Sequence, residues 1–475
     1  MKRIAILPVL VIGLACGQFA AASVTATVDW SRTTGKNVSG RHFGLNLFQG
    51  FDPTIAGHSG SAAYNAHLAR MKPGMVRYHR WDMIQDSVRN SSGWATGLTS
   101  AQTIGWDADK INKAMSGANT WGATVMVNIP GWPDAWKTRG TSLLDPSHYS
   151  DFANWCASLV RIINVNQGRA VKYWEVTNEQ DDNYGSNAGQ LGLIVALAAS
   201  AMKAVDSTIQ VGGPAFARPD RTSDVDAFFS TSASDLDFVS YHTYASGSTS
   251  DSNQSIFNTA AGWGSITSSM KAEFAKYSSR RIEYFHDEYN ISWNPPDVRM
   301  YNEIGMVADA LSMISIANAG ADGAMAWNEA DGWYGKVDAS WNSRPSAYLY
   351  ELVNNSLSGS IVQTSTSDAS QVVLFGTISA SWVKLAMVNR SETNNTVAFS
   401  SVAGLPAGAT NHTSFTVKQV SSGGVSDSTV TIGQLQKRYL LPANTVTIIE
   451  LNTSAIHGHK LAHLNPLKRL HSHLV

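Results

Sequence analysis

The sequence predicts an α/β protein, a (β/α)8 TIM barrel with a C-terminal antiparallel β-sandwich domain. Between residues 40 and 355, short β-like runs alternate with helical patterns. Eight strand–helix units over about 310 residues suit a barrel, which typically takes about 250 residues and accepts insertions. After residue 355 the pattern changes to short alternating runs separated by Ser, Gly and Asn. Such runs are typical of an antiparallel sandwich.

The predicted barrel strands are short apolar runs, and amphipathic stretches such as 148–163 and 301–320 lie between them. The second stretch ends at Gly320, in a C-cap position. An open doubly wound sheet is the competing interpretation, but no glycine-rich phosphate loop follows the first strand. In chain order, the predicted strands are 43–48, 74–79, 124–129, 171–178, 209–213, 236–242, 281–288 and 323–327.

The first 22 residues combine Lys2 and Arg3 with an apolar stretch and three alanines. This pattern predicts a secretory signal peptide that is cleaved after Ala22. A lipidated Cys16 is the alternative, although Leu14 stands two residues before it rather than three. We therefore expect an exported protein, either secreted or periplasmic, that has no membrane segment once the signal is removed.

The β-like residues 23–34 precede the barrel, which we place at 35–355. We expect them to add a strand to the sandwich, which we place at 356–453. Residues 454–475 carry five histidines and lack the periodicity of a packed element. They are predicted to be a disordered tail, with metal capture as the alternative.

The charge balance gives no reason to expect nucleic acid as a partner. Lys and Arg total 35 against 36 Asp and Glu, so the net charge is −1, and affinity for phosphate backbones requires a positive excess. Removal of the signal peptide leaves one cysteine, Cys156, which excludes an internal disulfide and predicts a buried structural thiol. Nothing in the sequence indicates the oligomeric state.

Two carboxylates carry the functional prediction. Glu179 closes the fourth predicted strand and Glu288 the seventh. Barrel active sites lie at the C-terminal ends of the strands, so these side chains should face each other across the barrel mouth. One proton donor and one nucleophile or base are what cleavage of a glycosidic bond requires. Glu175 should lie deeper, in a buried polar network, and Asp287 should face the opposite side of its strand.

Several short motifs resemble the clan A glycoside hydrolases, a retaining (β/α)8 group. Asn178-Glu179 and the glutamate closing strand seven match the clan pattern, and "MVRYHRW" (75–81) resembles the Val-Arg-Phe-His stretch of family 39. "YHTY" (241–244) and "HDEYNISW" (286–293) resemble family 51 arabinofuranosidases, and "LPANTVTIIELN" resembles the last sandwich strand of these families. "TNEQ" departs from the Asn-Glu-Pro of many family 39 members, so the family and the substrate stay open.

The resemblance implies roles for individual residues. Glu179 would be the acid/base and Glu288 the nucleophile of a double displacement. Asn178 would bind the sugar 2-hydroxyl, and His242 and Tyr244 would lie beside Glu288. Arg77 would keep Glu288 ionised by its charge, with a buried structural ion pair as the alternative role. His79 has the strand parity to reach the cleft, and a satisfied core histidine is the alternative for His242.

Further candidates are strand-end or loop residues whose side chains could bind sugar. Aromatic rings can stack on sugars, although core packing is the alternative for the tryptophans. The proposed substrate ligands are Trp132, Trp293, Trp327 and Asn46, with Trp136, Trp333, Tyr334 and Asn128 as weaker candidates.

No cofactor or metal is expected, because HExxH and GxSxG motifs are absent from the sequence and the strand-end histidines are scattered. The predicted function is a secreted retaining glycoside hydrolase of the xylosidase, arabinofuranosidase or endoglycanase type, acting on poly- or oligosaccharides. A catalytically inactive carbohydrate-binding protein with the same fold is the alternative.

Overall fold

The structure is a computed structural model that describes residues 22–48, 62–117, 122–454 and 456. The predicted signal peptide lies outside the described residues except for Ala22, and the predicted tail does so at 455 and 457–475. The elements below therefore refer to the described part of the chain.

The strands are β1 (Ala22–Val38), β2 (Gly44–Leu47), β3 (Met75–Tyr78), β4 (Ala95–Thr96), β5 (Gly105–Trp106), β6 (Thr124–Ile129), β7 (Tyr173–Val176), β8 (Gln210–Phe216), β9 (Phe238–Ser246), β10 (Glu283–Ser292), β11 (Gly323–Ala326), β12 (Gly359–Thr366), β13 (Val372–Ile378), β14 (Trp382–Asn389), β15 (Asn395–Ala403), β16 (Ser414–Ser421), β17 (Gly424–Thr431), β18 (Tyr439–Leu441) and β19 (Thr445–Asn452). The α-helices are α1 (Ala62–Met71), α2 (Ala108–Ala114), α3 (Tyr149–Val160), α4 (Asp181–Tyr184), α5 (Ala188–Val205), α6 (Thr222–Ser232), α7 (Asn253–Gly262), α8 (Gly264–Phe274), α9 (Glu303–Ala319), α10 (Pro345–Ser356) and α11 (Ile432–Lys437).

Eight strands close into a barrel in the order β10-β11-β2-β3-β6-β7-β8-β9. All eight neighbouring pairs are parallel, which confirms the predicted fold class. Since helices connect most successive strands, all C-terminal strand ends meet at one face of the barrel.

The floor of the barrel is a layer of large apolar side chains from six strands. Two strands contribute glycine to this layer instead, and each makes room for a neighbour. A Cβ on Gly44 would come 2.6 Å from the Met325 side chain, and one on Gly212 would come 2.7 Å from the Phe238 ring. The six apolar residues are Met75, Met126, Tyr173, Phe238, Phe285 and Met325.

A second layer lies above the floor, because strand side chains that share a face recur every second residue. Most of its side chains are polar. Two residues after each floor residue stands a polar or aromatic residue closer to the C-terminal face. These residues are Arg77, Asn128, Glu175, Ser240, Asp287 and Trp327. The apolar floor thus excludes water from below, and the strands present their polar groups at the barrel mouth.

The second domain is one nine-stranded sheet in the order β17-β16-β19-β14-β13-β12-β1-β15-β18. The strand β1 lies between β12 and β15 and is antiparallel to β12 but parallel to β15. Trp30 of β1 stacks on Phe415 of β16 with ring centroids 5.9 Å apart. The two halves of the sheet therefore curl over a shared core.

Helix α5 packs between α3 and α6 on the outside of the barrel. Asp181–Val205, which includes α5, is long and apolar enough to cross a membrane by length and composition, and 50% of its 18-residue apolar window is buried inside the protein. This burial is typical of a core helix in a packed domain. Cys156 in α3 is buried and free, as the sequence predicts.

The glycine at position 212 should be required for the barrel floor. In Gly212→Ala the new Cβ would come 2.2 Å from the Phe238 carbonyl oxygen of the neighbouring strand. We expect a loss of about 1–3 kcal/mol in the free energy of unfolding, measured by denaturant titration. Gly332→Ala is the matched control, because its Cβ meets nothing within 4 Å, and it should change stability by less than about 0.5 kcal/mol. Equal effects of the two substitutions would contradict the packing explanation.

Candidate active site

The centre of the polar layer is the guanidinium of Arg77, which is fully buried. Its Nε lies 2.6 Å from Oε2 of Glu175 and 3.2 Å from Oδ2 of Asp287. Its Nη1 lies 3.3 Å from Oε2 of Glu288, and its Nη2 donates to Oδ1 of Asn178 at 2.6 Å. One cation thus joins groups from β3, β7, β10 and the loop after β7.

Glu288 lies in β10 at the mouth of the barrel, with 8% of its side chain exposed. The hydroxyl of Tyr244 in β9 donates to its Oε1, and Arg77 faces its Oε2. Burial raises the pKa of this carboxyl, while His242, Arg77 and Tyr244 oppose that shift. Both oxygens of Glu288 are therefore held in place by protein donors.

Glu179 lies in the loop after β7, three residues beyond the end of the strand at Val176. Its φ of +55°, like the +71° of Thr177, is in the left-handed region that non-glycine residues seldom adopt. The Glu179 N–H donates to the Ala215 carbonyl at 3.0 Å. This turn directs the carboxylate back over the barrel mouth, where 42% of the side chain remains exposed.

His242 in β9 connects the two predicted catalytic carboxylates. Its Nδ1 lies 2.9 Å from Oε1 of Glu179 and 3.7 Å from Oε2 of Glu288. Burial would lower the pKa of His242, but the two carboxylates outweigh burial and raise it. Burial would likewise raise the pKa of Glu179, but the hydrogen bond and charge of His242, together with the charges of His79 and Arg77, outweigh burial and lower that pKa.

The predicted pairing of Glu179 with Glu288 is present in the geometry. One oxygen of each carboxylate and a ring nitrogen of His242 all lie within 4.8 Å of one another. These three side chains also have the spacing of a metal site. However, the positive Arg77 lies 3.3 Å from Glu288, and the Nδ1 of His242 is occupied by its bond to Glu179. Both features favour a proton rather than a metal ion between these groups.

The expectation that Asp287 faces away from Glu288 is wrong, because β10 carries a β-bulge at this residue. His286 pairs with Tyr241 of β9 and Glu288 pairs with His242, so Asp287 is the extra residue. A bulge places two successive side chains on the same face. His286 points outward, against Trp263, while both Asp287 and Glu288 point inward to Arg77.

Asp287 is the functional residue that sequence reasoning missed. Burial raises its pKa well above the ordinary value, and the negative Glu175 adds to this. Burial would raise the pKa of Glu175 too, but the charge of Arg77 and the neighbouring hydrogen-bonding groups together outweigh burial and bring that pKa to about 2. Of these two buried carboxyls, Asp287 therefore holds a proton more readily than Glu175. The sequence does show an acidic residue directly before Glu288. However, regular strand alternation predicts that this side chain faces away from the site, so its role was not expected.

The opposite side of the mouth presents neutral hydrogen-bonding groups. Asn128 donates through Nδ2 to Oε2 of Glu175 and to the Thr177 carbonyl, both at 2.7 Å. Its Oδ1 must then accept from Nδ1 of His79, 2.8 Å away. Burial, followed by the charge of Arg77, lowers the pKa of His79 to about 3. His79 is therefore neutral, and its Nε2 is a hydrogen-bond acceptor.

Two of the predicted sugar-binding residues do not reach the cleft. Asn46 and Arg77 are fully buried. The Asn46 Nδ2 donates to the Asp287 carbonyl at 2.7 Å, and its Oδ1 accepts from Arg77 at 2.9 Å. Both side chains lie one layer too deep to contact a sugar, so they act by positioning Asn178, Asp287 and Glu288.

The predicted aromatic ligands divide into two groups. Trp132 is 2% exposed, its ring packs edge-to-face on Phe152, and its indole N–H donates to the Ser142 carbonyl. The loop after β6 folds back onto α3, so this ring supports the loop instead of offering a face to a sugar. Trp327 is partly exposed beside His79, 5.6 Å away, and Trp293 is 63% exposed at the end of β10.

Comparison with known proteins identifies the chemistry of this arrangement. Residues 140–322 match the model of the glycosyl hydrolases family 39, and this segment includes Glu179, His242, Tyr244 and Glu288. A comparison with curated proteins finds no match.

Several solved structures are similar over almost their whole length. The GH39 enzyme from Xanthomonas axonopodis pv. citri is 17% identical with a TM-score of 0.64, covering 92% of this chain and 99% of its own. The thermostable GH51 α-L-arabinofuranosidase from Thermotoga petrophila RKU-1 is 14% identical with a TM-score of 0.64, covering 90% and 100%. CelM2, a bifunctional glucanase-xylanase from a metagenome library, is 14% identical with a TM-score of 0.63, covering 91% and 99%.

At these identities the structural likeness shows the fold, and the family match adds the chemistry. The matched segment runs through the strands and loops that carry the paired carboxylates. The predicted resemblance to the clan A glycoside hydrolases is therefore confirmed, and the protein is a glycoside hydrolase whose residues 140–322 match the family 39 model.

Proposed function

We propose that the protein is an exported retaining glycosidase that cleaves O-glycosidic bonds of poly- or oligosaccharides by double displacement. The proposal rests on the close approach of the two carboxylates: one oxygen of Glu179 lies within 4.8 Å of one oxygen of Glu288. Retaining enzymes hold their two carboxyl groups about 5–5.5 Å apart, whereas inverting enzymes leave about 6.5–9.5 Å for a water molecule.

In the first step, an oxygen of Glu288 attacks the anomeric carbon and forms a covalent glycosyl ester. Glu179 gives its proton to the departing glycosidic oxygen as that bond breaks. The Tyr244 hydroxyl and Arg77 stabilise Glu288 as the carboxylate that must attack. Because Glu179 is the more exposed of the two acids, it can reach a leaving group that enters from the cleft.

In the second step, Glu179 accepts a proton from a water molecule, which attacks the anomeric carbon from the side that the leaving group vacated. Glu288 departs as a carboxylate and is again stabilised by Arg77 and Tyr244. The His242 N–H donates to Glu179 and favours its ionised form, which this step needs as a base.

Asn178 and His79 are placed to bind the sugar that carries the reacting carbon. The Oδ1 of Asn178 accepts from Arg77, which leaves its Nδ2 to donate to the 2-hydroxyl. The neutral His79 offers Nε2 as an acceptor beside Trp327, whose ring is partly exposed. Bonds to the 2-hydroxyl strengthen as positive charge develops on the sugar, so they contribute to rate as well as to binding.

The substrate class rests on the similar proteins. Structures that resemble this chain include a β-xylosidase, an α-L-arabinofuranosidase and a glucanase-xylanase. We infer a poly- or oligosaccharide that contains xylose, arabinose or glucose. The basic and apolar pattern of residues 1–22 supports export to the periplasm or the medium, where such polymers occur.

Replacing either catalytic carboxylate should abolish hydrolysis of natural glycosides while preserving the fold. We expect Glu288→Gln to lose the nucleophile and nearly all activity on every substrate. Glu179→Gln should lose about 10²–10⁴-fold on oligosaccharides, but less on aryl glycosides whose leaving groups need no proton. Glu283→Gln, at the other end of β10, is the control and should keep its rate. Full activity in Glu288→Gln would overturn the assignment, and sugar binding without hydrolysis by the wild type would favour an inactive binding protein.

The stereochemistry of the product tests the double displacement. The first-formed sugar should have the same anomeric configuration as the bond that was cleaved, because two successive inversions restore it. An NMR time course of the anomeric protons, begun immediately after mixing and followed until mutarotation, shows which anomer forms first. First appearance of the opposite anomer would show single displacement by water.

The pH profile should depend on His242. Its positive charge lowers the pKa of both Glu179 and Glu288, so removing it in His242→Asn raises both values. Activity requires Glu288 ionised and Glu179 protonated, so the acidic and alkaline limbs of kcat/KM should both move to higher pH. His412→Asn, an exposed change in the second domain, should leave the profile unchanged. A shift of either limb to lower pH would contradict this account.

A further inference from the structure

A cavity of about 760 Å³ adjoins Glu179 on the C-terminal face of the barrel. Its walls come from the loop after β8, the junction of α7 with α8, and Trp293 at the end of β10. This volume lies within the range of about 300–1,000 Å³ that is usual for ligand sites. Glu179, His242 and Tyr244 form its inner wall, and the hydrolytic mechanism described above uses none of its other walls.

The cavity lies on the side to which the leaving group departs. Of the described residues, Glu179 lines this cavity, whereas Glu288 does not. Asn178 lines a separate cavity of about 220 Å³ on the other side of Glu179, together with His79. The general acid must contact the departing oxygen. Given the proposed roles, the part of the substrate that is released therefore extends into the larger cavity.

The indole of Trp293 forms a fixed platform on the wall of this cavity. Its side chain is 63% exposed, yet a Cβ on Gly247 would come 2.5–2.6 Å from three atoms of its ring. The ring therefore rests directly on the Gly247 backbone, where any side chain would displace it. The Tyr334 hydroxyl also donates to the Trp293 carbonyl at 3.1 Å, which fixes the backbone below the ring. Exposed rings held in one orientation suit the apolar C–H face of a sugar.

The charged groups on the outer wall of the cavity are paired, either with one another or with a residue outside the lining. Arg218 donates to both oxygens of Asp220, at 2.9 and 2.7 Å, and Asp182 pairs with Arg221 at 2.9 Å. Asn258 accepts two side-chain hydrogen bonds at Oδ1, from Gln254 and Arg390. Such a wall offers donors and acceptors and has no unpaired positive charge among Arg218, Asp220 and Asp182, which fits neutral hydroxyl groups better than an acidic ligand.

We propose that this cavity binds the leaving-group side of a neutral oligosaccharide chain, with a sugar ring stacked on Trp293. The proposal rests on the proposed glycosidase function and extends it. The enzyme then recognises its substrate by sugars beyond the bond that it cleaves. It should act on a chain more efficiently than on a terminal sugar that bears a small leaving group.

Kinetics on substrates of graded length test this proposal. Purified full-length protein is assayed with xylo-, arabino- and cello-oligosaccharides that are extended stepwise at the reducing end. The matching 4-nitrophenyl glycosides serve as short substrates. We expect kcat/KM to rise with each reducing-end extension that reaches Trp293. In Trp293→Ala, kcat/KM on the longer chains should fall about tenfold, with a change of less than about twofold on the 4-nitrophenyl glycosides.

Gly247→Val provides an independent variant, since it displaces the indole without removing it. The φ of Gly247 is outside the positive range, so its backbone accepts a side chain, and the same selective loss on long chains is expected. Tyr277→Ala removes an aromatic side chain that is 41% exposed away from the cavity, and both substrate classes should be unaffected.

The outcomes separate this inference from the function on which it rests. Hydrolysis with no dependence on reducing-end length, or equal losses on short and long substrates in Trp293→Ala, would overturn the inference alone. Failure of the wild type to hydrolyse any of these glycosides would overturn the proposed function, and the inference with it.

Discussion

The buried guanidinium of Arg77 is the interaction on which the catalytic end of the barrel depends. Removing an ion from water costs several kcal/mol unless the ion is paired and hydrogen-bonded. Glu175 at 2.6 Å, Asp287 at 3.2 Å and Glu288 at 3.3 Å surround it, and two amide oxygens complete the shell. Those groups come from β2, β7, the loop after β7, and β10. Satisfying one cation thus fixes the relative positions of the nucleophile and of Asn178, although Arg77 itself is too deep to touch a sugar.

Because of the β-bulge at Asp287, the single strand β10 places two carboxyl groups beside the Arg77 guanidinium. In a regular strand only every second side chain faces the barrel interior, so β10 would supply either Asp287 or Glu288. With the bulge, Asp287 lies low beside Arg77, while Glu288 lies higher and faces the cleft. Burial and the nearby Glu175 raise the pKa of Asp287, which favours its neutral form. Arg77 then balances fewer negative charges, and its field remains available to stabilise the nucleophile.

Much of this arrangement can be predicted from the sequence, because it follows from periodicity. The predicted strands agree with the observed ones to within a few residues, and the rule that C-terminal strand ends carry the site located Glu179 and Glu288. How far a side chain lies below the cleft is harder to predict from the sequence. Asn46 and Trp132 were placed at strand ends correctly, yet Asn46 lies a layer below the cleft and the Trp132 ring turns into the protein. The bulge leaves no local signal either, since it depends on the neighbouring strand β9 as much as on β10 itself.

Unequal exposure assigns different tasks to the two catalytic acids. Glu288 is 8% exposed and all its polar contacts are with the protein, whereas Glu179 is 42% exposed and contacts His242 on one side only. In the free enzyme, burial raises the pKa of Glu288, whereas His242 and other nearby groups lower that of Glu179, so Glu288 takes up a proton more readily than Glu179. A sugar that covers Glu179 removes it from water, and desolvation raises the pKa of a carboxyl. Substrate binding itself then moves the proton toward the acid that must donate it and leaves Glu288 ionised for attack.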